Sequence, residues 1–273
     1  MKYDLSIIIV TYKSEKLIGP LLDSIKKSPD GLEKQIIVVD HFDQDKSAEI
    51  AQNHLLKPLV LEPHSNLGFS KGVNLGLKEA KGKYIFLINP DSRLAGNALG
   101  FLYSFAEKQE KLGAVVPRLL YDNGKIQPSV MKFPTIFNAF RFYFLKNKRY
   151  FGKYIPKKET ERVDVAVMAA MLIPMSTIEK IGKLDERFFL YYEDIEFCRR
   201  LKKARLPIYY HAKAKIKHVH GASGNFKSHL RSPLAKSAQI YHGVLYSNLL
   251  NATLWLGQKW VKLLSEIAKI KKR

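Results

Sequence analysis

The chain has 273 residues, of which 46% are hydrophobic and 26% charged, and its formal net charge is +21. This composition is close to that of an ordinary globular protein and excludes a disordered or collagen-like chain, and the single cysteine, Cys198, excludes a disulfide scaffold. Its apolar runs are far shorter than the ~20 residues that span a bilayer, and no basic region precedes the first of them, so we expect a cytoplasmic protein without a secretory signal.

The first 117 residues alternate short apolar runs with stretches of helical periodicity. The apolar runs, which predict strands, are Leu5–Val10, Ile36–Val39, Leu59–Leu61, Tyr84–Ile88 and Ala114–Val116. The apolar residues at helical spacing are Leu17, Leu21 and Ile25 behind Ser14 as a cap, then Ala48, Ala51 and Leu55, then Val73, Leu77 and Ala80, and then Leu99, Leu102 and Phe105. Strands that are apolar throughout are buried on both faces, which predicts a doubly wound, mostly parallel α/β sheet with helices on both faces.

The pattern changes beyond residue 117, although no linker separates the two parts. The predicted elements are a tight turn at Asp122-Asn123-Gly124, a strand at Val163–Ile173, a capping box of Ser176 and Glu179 on a short helix ending near Gly182, a helix from about Asp194 to Ala204, strands at Ile208–Tyr210 and Lys215–Val219, and a helical tail over 236–273.

Polar residues follow the predicted strands at one edge of the sheet, where doubly wound sheets bind ligands. They are Thr11 and Tyr12, Asp40, and Asn89 with Asp91. An aspartate at such a strand end can accept hydrogen bonds from ribose hydroxyls or a base N–H, and capping of the next helix explains either one alone equally well. The chain lacks a Gly-x-Gly-x-x-Gly after its first strand and lacks a P-loop, which argues against a dehydrogenase or an NTPase.

Three further segments carry candidate chemistry. Asn66, Gly68, Lys71 and Asn74 surround a predicted helix start that can approach a pyrophosphate, although such turns are common. Glu193 and Asp194 lie at another helix start, where an ionised carboxylate can act as a general base or simply cap the helix. His218 and His220 alternate on a strand and point to opposite faces, so at most one of them joins a site.

Together these segments resemble the family 2 glycosyltransferases of the GT-A fold, particularly the rhamnosyltransferase-like branch. The matching segments, in family order over residues 4–223, are Ser6–Tyr12, Ile36–Asp40, Asn66–Gly76, Leu87–Asp91, Asp185–Glu196 and His218–Ser223. Two segments depart from the family pattern. His41-Phe42-Asp43-Gln44-Asp45 stands where the family usually has Asn-x-Ser-x-Asp, and the motif ending in Asp91 has one carboxylate fewer than the fuller pattern.

The resemblance implies an inverting transfer from a UDP- or dTDP-sugar to a hydroxyl of a saccharide acceptor, which we expect to be lipid-linked. Asp194 would be the general base, with Glu193 beside it on the acceptor. Asp91 and His218, with His220 as the less favoured alternative, would hold a divalent Mg²⁺ or Mn²⁺ ion on the pyrophosphate. The residues implied to bind the nucleotide sugar are Thr11, Tyr12, Asp40, Asn66, Gly68, Lys71, Asn74, Asn89 and Asp91. We therefore divide the chain into a nucleotide-sugar-binding half (1–117), an acceptor-side and catalytic half (118–235) and a basic tail (236–273).

Charge is distributed unevenly along the chain. Residues 1–131 carry 17 basic and 15 acidic side chains, whereas residues 132–273 carry 29 and 10. The second part also carries aromatic residues on the expected acceptor or membrane side, which are Tyr192, Phe137 beside Arg141, Trp255 and Trp260. This pattern favours peripheral binding to the anionic inner face of the plasma membrane, and a core helix with a basic outer face is the alternative.

Two rival functions remain open at this stage. A basic chain can bind nucleic acid, but this one has no recognisable helix-turn-helix, zinc or RNA-recognition signature, so we expect no specific nucleic-acid partner. A relative that binds sugar nucleotides without catalysing transfer is the second rival, because the segment after Asp40 is altered.

Overall fold

The computed structural model describes residues 2–41, 44–145, 151–219 and 231–270. The strands, in chain order, are β1 Tyr3–Thr11, β2 Lys34–Asp40, β3 Leu59–Leu61, β4 Gly82–Ile88, β5 Ser92–Ala95, β6 Ala114–Leu120, β7 Ile126–Gln127, β8 Val130–Met131, β9 Lys153–Tyr154, β10 Thr160–Val163, β11 Val165–Ala166, β12 Ala170–Pro174 and β13 Ile208–His218. The helices are α1 Glu15–Lys26, α2 Ser47–Gln52, α3 Phe69–Glu79, α4 Ala98–Glu107, α5 Ile136–Tyr143, α6 Met175–Ile181, α7 Glu193–Lys203, α8 Arg231–His242 and α9 Val244–Ile270.

One large sheet forms the centre of the fold. Its main path runs β10-β13-β6-β12-β4-β1-β2-β3, with β5 added on β13 and β7 on β6. Strands β4, β1, β2 and β3 are parallel, β12 enters antiparallel between β4 and β6, and β13 is parallel to β6. A second sheet of short strands has the order β11-β8-β9. The predicted mostly parallel sheet is confirmed, and the carboxyl ends of β1, β2, β4 and β13 meet at one edge.

Both faces of the sheet are covered. Leu5, Ile7, Ile8 and Ile9 of β1 are at most 1% exposed and alternate between two apolar clusters. Ile8 belongs to the cluster that α3 and α7 complete, whereas the other three belong to the cluster that α1 and α4 complete. Burial on both faces explains why these strands show no alternation of apolar and polar residues.

Two predicted features of the second half are wrong because strand pairing changes along the chain. The strand predicted at Val163–Ile173 is in fact β10, β11 and β12, which pair respectively with β13, with β8, and with β4 and β6. The strands predicted at Ile208–Tyr210 and Lys215–Val219 are the single strand β13, whose register against β6 shifts between His211 and Lys215.

The predicted helix ends also need correction. Helix α2 ends at Gln52, and Leu55 lies beyond it with 75% of its surface exposed. Ser176 and Glu179 do not form a capping box, because α6 already begins at Met175 and no side chain caps it.

Two other helix predictions are right in part. Ser14 does precede α1, but its hydroxyl bonds to the backbone of Tyr12 instead of capping the helix. The predicted helical tail begins earlier, at Arg231, and is broken at Gly243, whose φ is +80°.

Candidate active site

Thr11 and Asp40 lie side by side at the carboxyl ends of β1 and β2, where the register pairs them directly. The Thr11 hydroxyl donates a 2.8 Å hydrogen bond to Oδ1 of Asp40, and both side chains are buried. Tyr12, the next residue, is half-buried at the same edge. The hydrogen bond fixes the orientation of a carboxylate at the edge where ligands of such sheets bind.

His41 follows Asp40, at a position where the family named above has asparagine. Its backbone N–H donates to the carbonyl of Thr11 at 3.0 Å, and its ring is buried against Gly72 of α3. A Cβ on residue 72 would lie 2.7 Å from the ring, so glycine makes the room that His41 occupies. Burial lowers the pKa of His41, which keeps the ring neutral at neutral pH. Phe42 and Asp43 lie outside the described residues.

Asn89, Asp91 and His218 meet at the same edge, beyond β4 and at the end of β13. Nδ1 of His218 lies 2.9 Å from Oε1 of Gln127, and because an amide oxygen only accepts hydrogen bonds, Nδ1 carries the proton. Nε2 then faces Nδ2 of Asn89 at 3.5 Å and Oδ1 of Asp91 at 3.3 Å. Gln127, which the sequence interpretation missed, thus orients the histidine.

Oδ1 of Asp91 and Nε2 of His218 are two acceptors that face each other. Asp91 is 4% exposed, and its Oδ1 receives no hydrogen bond within the described ranges. Such a pair is stable when a cation, either a proton or a metal ion, lies between the two atoms. Carboxylate and imidazole are ordinary ligands of Mn²⁺, so this pair fits a divalent ion. No group of three or more metal-ligating side chains occurs among the described residues, so substrate or water must supply the other ligands.

The turn before α3 is organised around Gly68, whose φ is +82°. Oδ1 of Asn66 accepts a 3.0 Å hydrogen bond from the Gly68 N–H, and Phe69 donates its N–H to the carbonyl of Phe189 at 2.8 Å. A Cβ on residue 68 would overlap that same carbonyl, so glycine allows the turn to pack against the loop before α7. Lys71 is exposed in the first turn of α3.

Asn74 is buried on α3 and bonded within the protein. Its Nδ2 donates to the carbonyl of Leu184 at 2.9 Å and to Oε1 of Glu186 at 3.0 Å, and its Oδ1 accepts from the N–H of Leu184 at 3.0 Å. Both amide hydrogens are therefore engaged. In this structure Asn74 joins α3 to the loop before α7 and so positions that loop.

The residues that lead into α7 have a strained backbone. Tyr191 and Tyr192 both have a φ of 68°, a region that residues other than glycine rarely adopt. The carbonyl of Tyr192 accepts from the N–H of Glu196 at 2.8 Å, which starts the helix. Strained residues of this kind persist only where their surroundings hold them, and they are frequent at active sites.

Glu193 and Asp194 are adjacent carboxyl groups at the start of α7. Burial, and after it the charge of Asp194, raises the pKa of Glu193 to about 8. Burial also raises the pKa of Asp194, whereas the N–H of Ile195, 2.8 Å from its Oδ1, and the ammonium group of Lys153 lower it. Glu193 Oε2 is buried and has no hydrogen-bond partner among the described residues. Burial therefore disfavours two charges at this position, and the N–H of Ile195 and the ammonium of Lys153 favour Asp194 as the carboxyl group that carries a charge.

Helix α8 packs on the loop that leads to these carboxyl groups, and α9 packs on α8. The ring of Tyr192 lies 5.5 Å from that of Tyr241 and 5.9 Å from that of His242, and His242 stacks on Tyr246 at 4.9 Å. The hydroxyl of Ser237 donates to the carbonyl of Leu190 at 2.9 Å. We call Tyr192, His242 and Tyr246 the aromatic column. Sequence reasoning missed it and the role of Lys153, because no local pattern links distant segments.

Helix α5 packs along α9 and forms an exposed apolar surface with it. Phe137 is 64% exposed and Trp255 is 58% exposed, and Trp260 of α9 is also exposed. The guanidinium of Arg141 lies 5.4 Å from the centre of the Phe137 ring, and the ammonium of Lys259 lies 5.6 Å from that of Trp255. We call the exposed side chains of these two helices the α5–α9 surface.

Within the described ranges, no helix has both the length and the hydropathy needed to cross a bilayer. Of the four residues predicted to face an acceptor or a membrane from these helices, Phe137 and Arg141 lie on α5 and Trp255 and Trp260 lie on α9, which packs against α5. His220, the alternative to His218, lies outside the described residues.

Comparisons with known proteins give the chain its family. Residues 6–182 match the family model described as Glycosyl transferase family 2, which is more than half of the chain. The low-salt glycan biosynthesis hexosyltransferase Agl10 of Haloferax volcanii is 30% identical over 213 residues, which are 75% of this chain and 64% of that protein. The N-acetylglucosaminyl-diphospho-decaprenol L-rhamnosyltransferase of Mycobacterium tuberculosis is 22% identical over 252 residues, which are 83% of this chain and 80% of that protein.

The fold comparison agrees with the sequence comparisons. The crystal structure of GalNAc-T7 with UDP, GalNAc and Mn²⁺ superposes with a TM-score of 0.64 at 14% identity, over 86% of this chain and 46% of that one. With the sheet and the site residues of the matched segments in place, these findings show that the chain is a glycosyltransferase and belongs to glycosyltransferase family 2.

Proposed function

We propose that the chain transfers a sugar from a nucleoside-diphosphate sugar to a hydroxyl of a lipid-linked saccharide, with inversion at the anomeric carbon. The observation that carries this proposal is the buried contact between Oδ1 of Asp91 and Nε2 of His218, 3.3 Å apart at the carboxyl edge of the sheet. Two facing acceptors form a site for a cation. A cation is needed because a departing nucleoside diphosphate develops negative charge. The mycobacterial relative, named for a decaprenol-linked substrate, supports the choice of acceptor.

The nucleotide sugar would bind along the carboxyl edge, which we call the donor edge: Thr11, Asp40, Asn89, Asp91 and His218. Asp40, oriented by the Thr11 hydroxyl, would accept from the base or the ribose, with Tyr12 beside it. Lys71 and the turn of Asn66 and Gly68 would lie near the diphosphate. Asn74 we assign to positioning, because its amide hydrogens are engaged by Leu184 and Glu186.

Asp91 and His218 would hold a divalent ion, Mg²⁺ or Mn²⁺. When bound, the ion supplies positive charge that stabilises the departing nucleoside diphosphate. Gln127 accepts the Nδ1 hydrogen of His218 and so orients the ring with Nε2 towards Asp91. Asn89 flanks the same nitrogen.

Asp194 would act as the general base that accepts the proton of the acceptor hydroxyl. Burial raises the pKa of Asp194, and the N–H of Ile195 and the ammonium of Lys153 oppose that rise, while burial raises the pKa of the neighbouring Glu193 to about 8. A protonated Glu193 can donate a hydrogen bond to an acceptor oxygen without adding a second charge. Tyr192 would line the acceptor side, held by α8.

The α5–α9 surface would bind the anionic cytoplasmic leaflet, where a lipid-linked acceptor of an envelope polysaccharide is available. Exposed aromatic residues such as Trp255 and Trp260 favour the interface, and each lysine near the leaflet adds about 1 kcal/mol. Lys259 and Lys262 lie on the same helix.

A thermal-shift screen of UDP, dTDP and GDP and their sugars, with and without Mg²⁺ or Mn²⁺, tests the proposal. A ligand at ~100 times its dissociation constant adds about 2.7 kcal/mol, which is readily detected. We expect metal-dependent stabilisation by UDP or dTDP compounds that Asp91→Asn removes and the turn variant Asp122→Asn leaves intact. Absence of a shift with every nucleotide would contradict the proposal, and binding without transfer would favour the inactive relative.

A further inference from the structure

A groove runs between α5 and α9, within the α5–α9 surface. It encloses about 650 Å³, within the roughly 300–1,000 Å³ of small-molecule sites. The side chains that define it are Phe137, Phe140, Phe144, Tyr246, Thr253 and Leu256. Contact with a membrane surface requires only exposed apolar side chains, whereas a groove of this volume can enclose a chain-like ligand.

The groove offers apolar contacts and almost no unsatisfied polar group. The hydroxyl of Thr253 donates to the carbonyl of Leu249 at 2.9 Å, and the hydroxyl oxygen of Tyr246 accepts from the N–H of Ile136 at 3.1 Å. Phe140 is 46% exposed and Leu256 is 54% exposed, so both have apolar area to bury against a ligand. Its lining is therefore complementary to a hydrocarbon.

One end of the groove leads to the loop before α7, which we call the catalytic loop because Glu193 and Asp194 follow it. Tyr246 lines the groove, stacks on His242 at 4.9 Å, and His242 contacts Tyr192, the residue before Glu193. A ligand whose hydrocarbon part lies in the groove would therefore have its other end beside the general base.

Cations lie at the junction of the groove and the catalytic loop. The guanidinium of Arg199 lies 4.3 Å from the centre of the Tyr241 ring, which in turn contacts Tyr192. Lys153, on β9, is exposed, and its charge lowers the pKa of Asp194 against the larger effect of burial, which raises it. A hydrocarbon groove that ends at two cations and a catalytic carboxylate is complementary to a molecule with an apolar chain, a diphosphate and a sugar, in that order.

We propose that the groove between α5 and α9 binds the prenyl chain of the acceptor lipid and that Arg199 and Lys153 bind its diphosphate. This inference rests on the proposed function and adds to it a binding site on the protein for the lipid, separate from contact with the bilayer. The chain then selects acceptors by their hydrocarbon as well as by their sugar.

Intrinsic fluorescence tests the proposal directly, because both tryptophans of the chain, Trp255 and Trp260, lie on α9. Trp260 is 6.2 Å from Phe144 of the groove. We expect farnesyl diphosphate, added below its micelle-forming concentration, to change the fluorescence saturably, and inorganic diphosphate to leave it unchanged. Neither probe requires a nucleotide sugar or transfer, so failure of this proposal is distinguishable from failure of the transferase proposal, which the thermal-shift screen measures.

Three variants locate the binding. The double variant Phe140→Ala and Leu256→Ala removes apolar contacts and should weaken farnesyl diphosphate binding about tenfold or more. Thr253→Phe should block binding by filling the groove while removing no packing. Leu263→Ala is the matched control, since Leu263 is 47% exposed on the same helix outside the groove, and binding should stay within about twofold of the unchanged chain.

Three results would overturn the proposal. Fluorescence that changes linearly with farnesyl diphosphate would mean partition onto an apolar surface and not a site. Equal weakening by Leu263→Ala and by the groove variants would place binding outside the groove. A dimer, seen by sedimentation, that Thr253→Phe disrupts and farnesyl diphosphate leaves intact would mean that a second copy fills the groove.

Discussion

Most side chains of the donor edge are buried and held in fixed orientations, whereas the aromatic side chains of the α5–α9 surface are exposed. At the donor edge, Asp40 and Asp91 are buried, and hydrogen bonds from neighbouring strands orient Asp40 and His218 before any ligand arrives. On the α5–α9 surface, Phe137 and Trp255 are mostly exposed and contact cationic side chains above their rings. The first region recognises charge with preset geometry, and the second provides apolar area.

Under the proposed function, this difference would let each region recognise one of the two substrates. A nucleotide sugar carries charged groups at fixed distances, and preset carboxylates and imidazole suit it. A lipid-linked acceptor is brought by its apolar part, for which exposed area and diffuse positive charge suffice. The catalytic loop lies between the regions, fastened to α3 by Asn74 and to the C-terminal helices by the aromatic column.

The largest effect should come from the residue at which the two regions meet. Asp194→Asn removes the base but not the donor edge, so we expect transfer to fall about 10²–10⁴-fold while the thermal shift with a nucleotide sugar persists. Initial rates measure transfer and melting curves measure binding of the nucleotide sugar, so both measurements on the same preparation separate the two activities. Full activity in this variant would remove Asp194 as the base, and Asp122→Asn serves as control.

The second largest effect should come from breaking the link that Asn74 forms between α3 and the catalytic loop. Asn74→Ala leaves the backbone groups of Leu184 without their side-chain partner and should lower the free energy of unfolding by about 1–3 kcal/mol. Urea denaturation measures the free energy of unfolding, and Asn53→Ala, at an exposed position, is the control. Weaker nucleotide binding with unchanged stability would instead make Asn74 a direct ligand contact.

The apolar region can be altered without touching the donor edge. Trp255→Ser should weaken binding to vesicles containing phosphatidylserine about tenfold. Leu55→Ser is the matched control, because Leu55 is 75% exposed but lies in the other half of the chain. Sedimentation with vesicles gives both values, and equal losses in the two variants would contradict a specific role for the α5–α9 surface.

The smallest effect should be a dependence of the free energy of unfolding on pH, which arises from the buried carboxyl group of Glu193. Because the pKa of Glu193 is raised to about 8 in the folded chain, the folded state holds a proton that the unfolded state, with a pKa of ~4.3, has released. The free energy of unfolding should therefore fall as pH rises from about 5 to about 8.

Glu193→Gln isolates this contribution from those of His41, His211 and His242, whose pKa values burial lowers. The unchanged chain should lose stability relative to the variant as pH rises, in urea denaturation at several pH values. A difference that stays constant with pH would contradict the assigned titration.

The strand ends of the donor edge are easier to predict from the sequence than the residues that reach the site from distant segments. The parallel strands and the clustering of Thr11, Asp40 and Asp91 followed from apolar runs with polar ends, because parallel strands end at a common edge. Gln127 and Lys153 gave no such signal, since they reach the site through pairings of two-residue strands. Val163–Ile173 was mistaken for one strand because apolar continuity does not reveal a change of pairing partner.

Local helix rules failed where tertiary contacts prevail over them. Ser14 and Ser176 have the side chains expected of caps, yet neither caps its helix. The strained Tyr192 begins α7 without a side-chain cap, held by packing against Tyr241 and His242. No periodicity in the sequence indicates such a contact between residues 49 or more positions apart.

The central claim is a single displacement in which Asp194 activates the acceptor hydroxyl. Nuclear magnetic resonance of the product of one round of transfer, using the nucleotide sugar that the thermal-shift screen selects, tests it most directly. The account predicts a product whose anomeric configuration is opposite to that of the sugar in the nucleotide sugar. Retention of that configuration would require two displacements and would contradict the account.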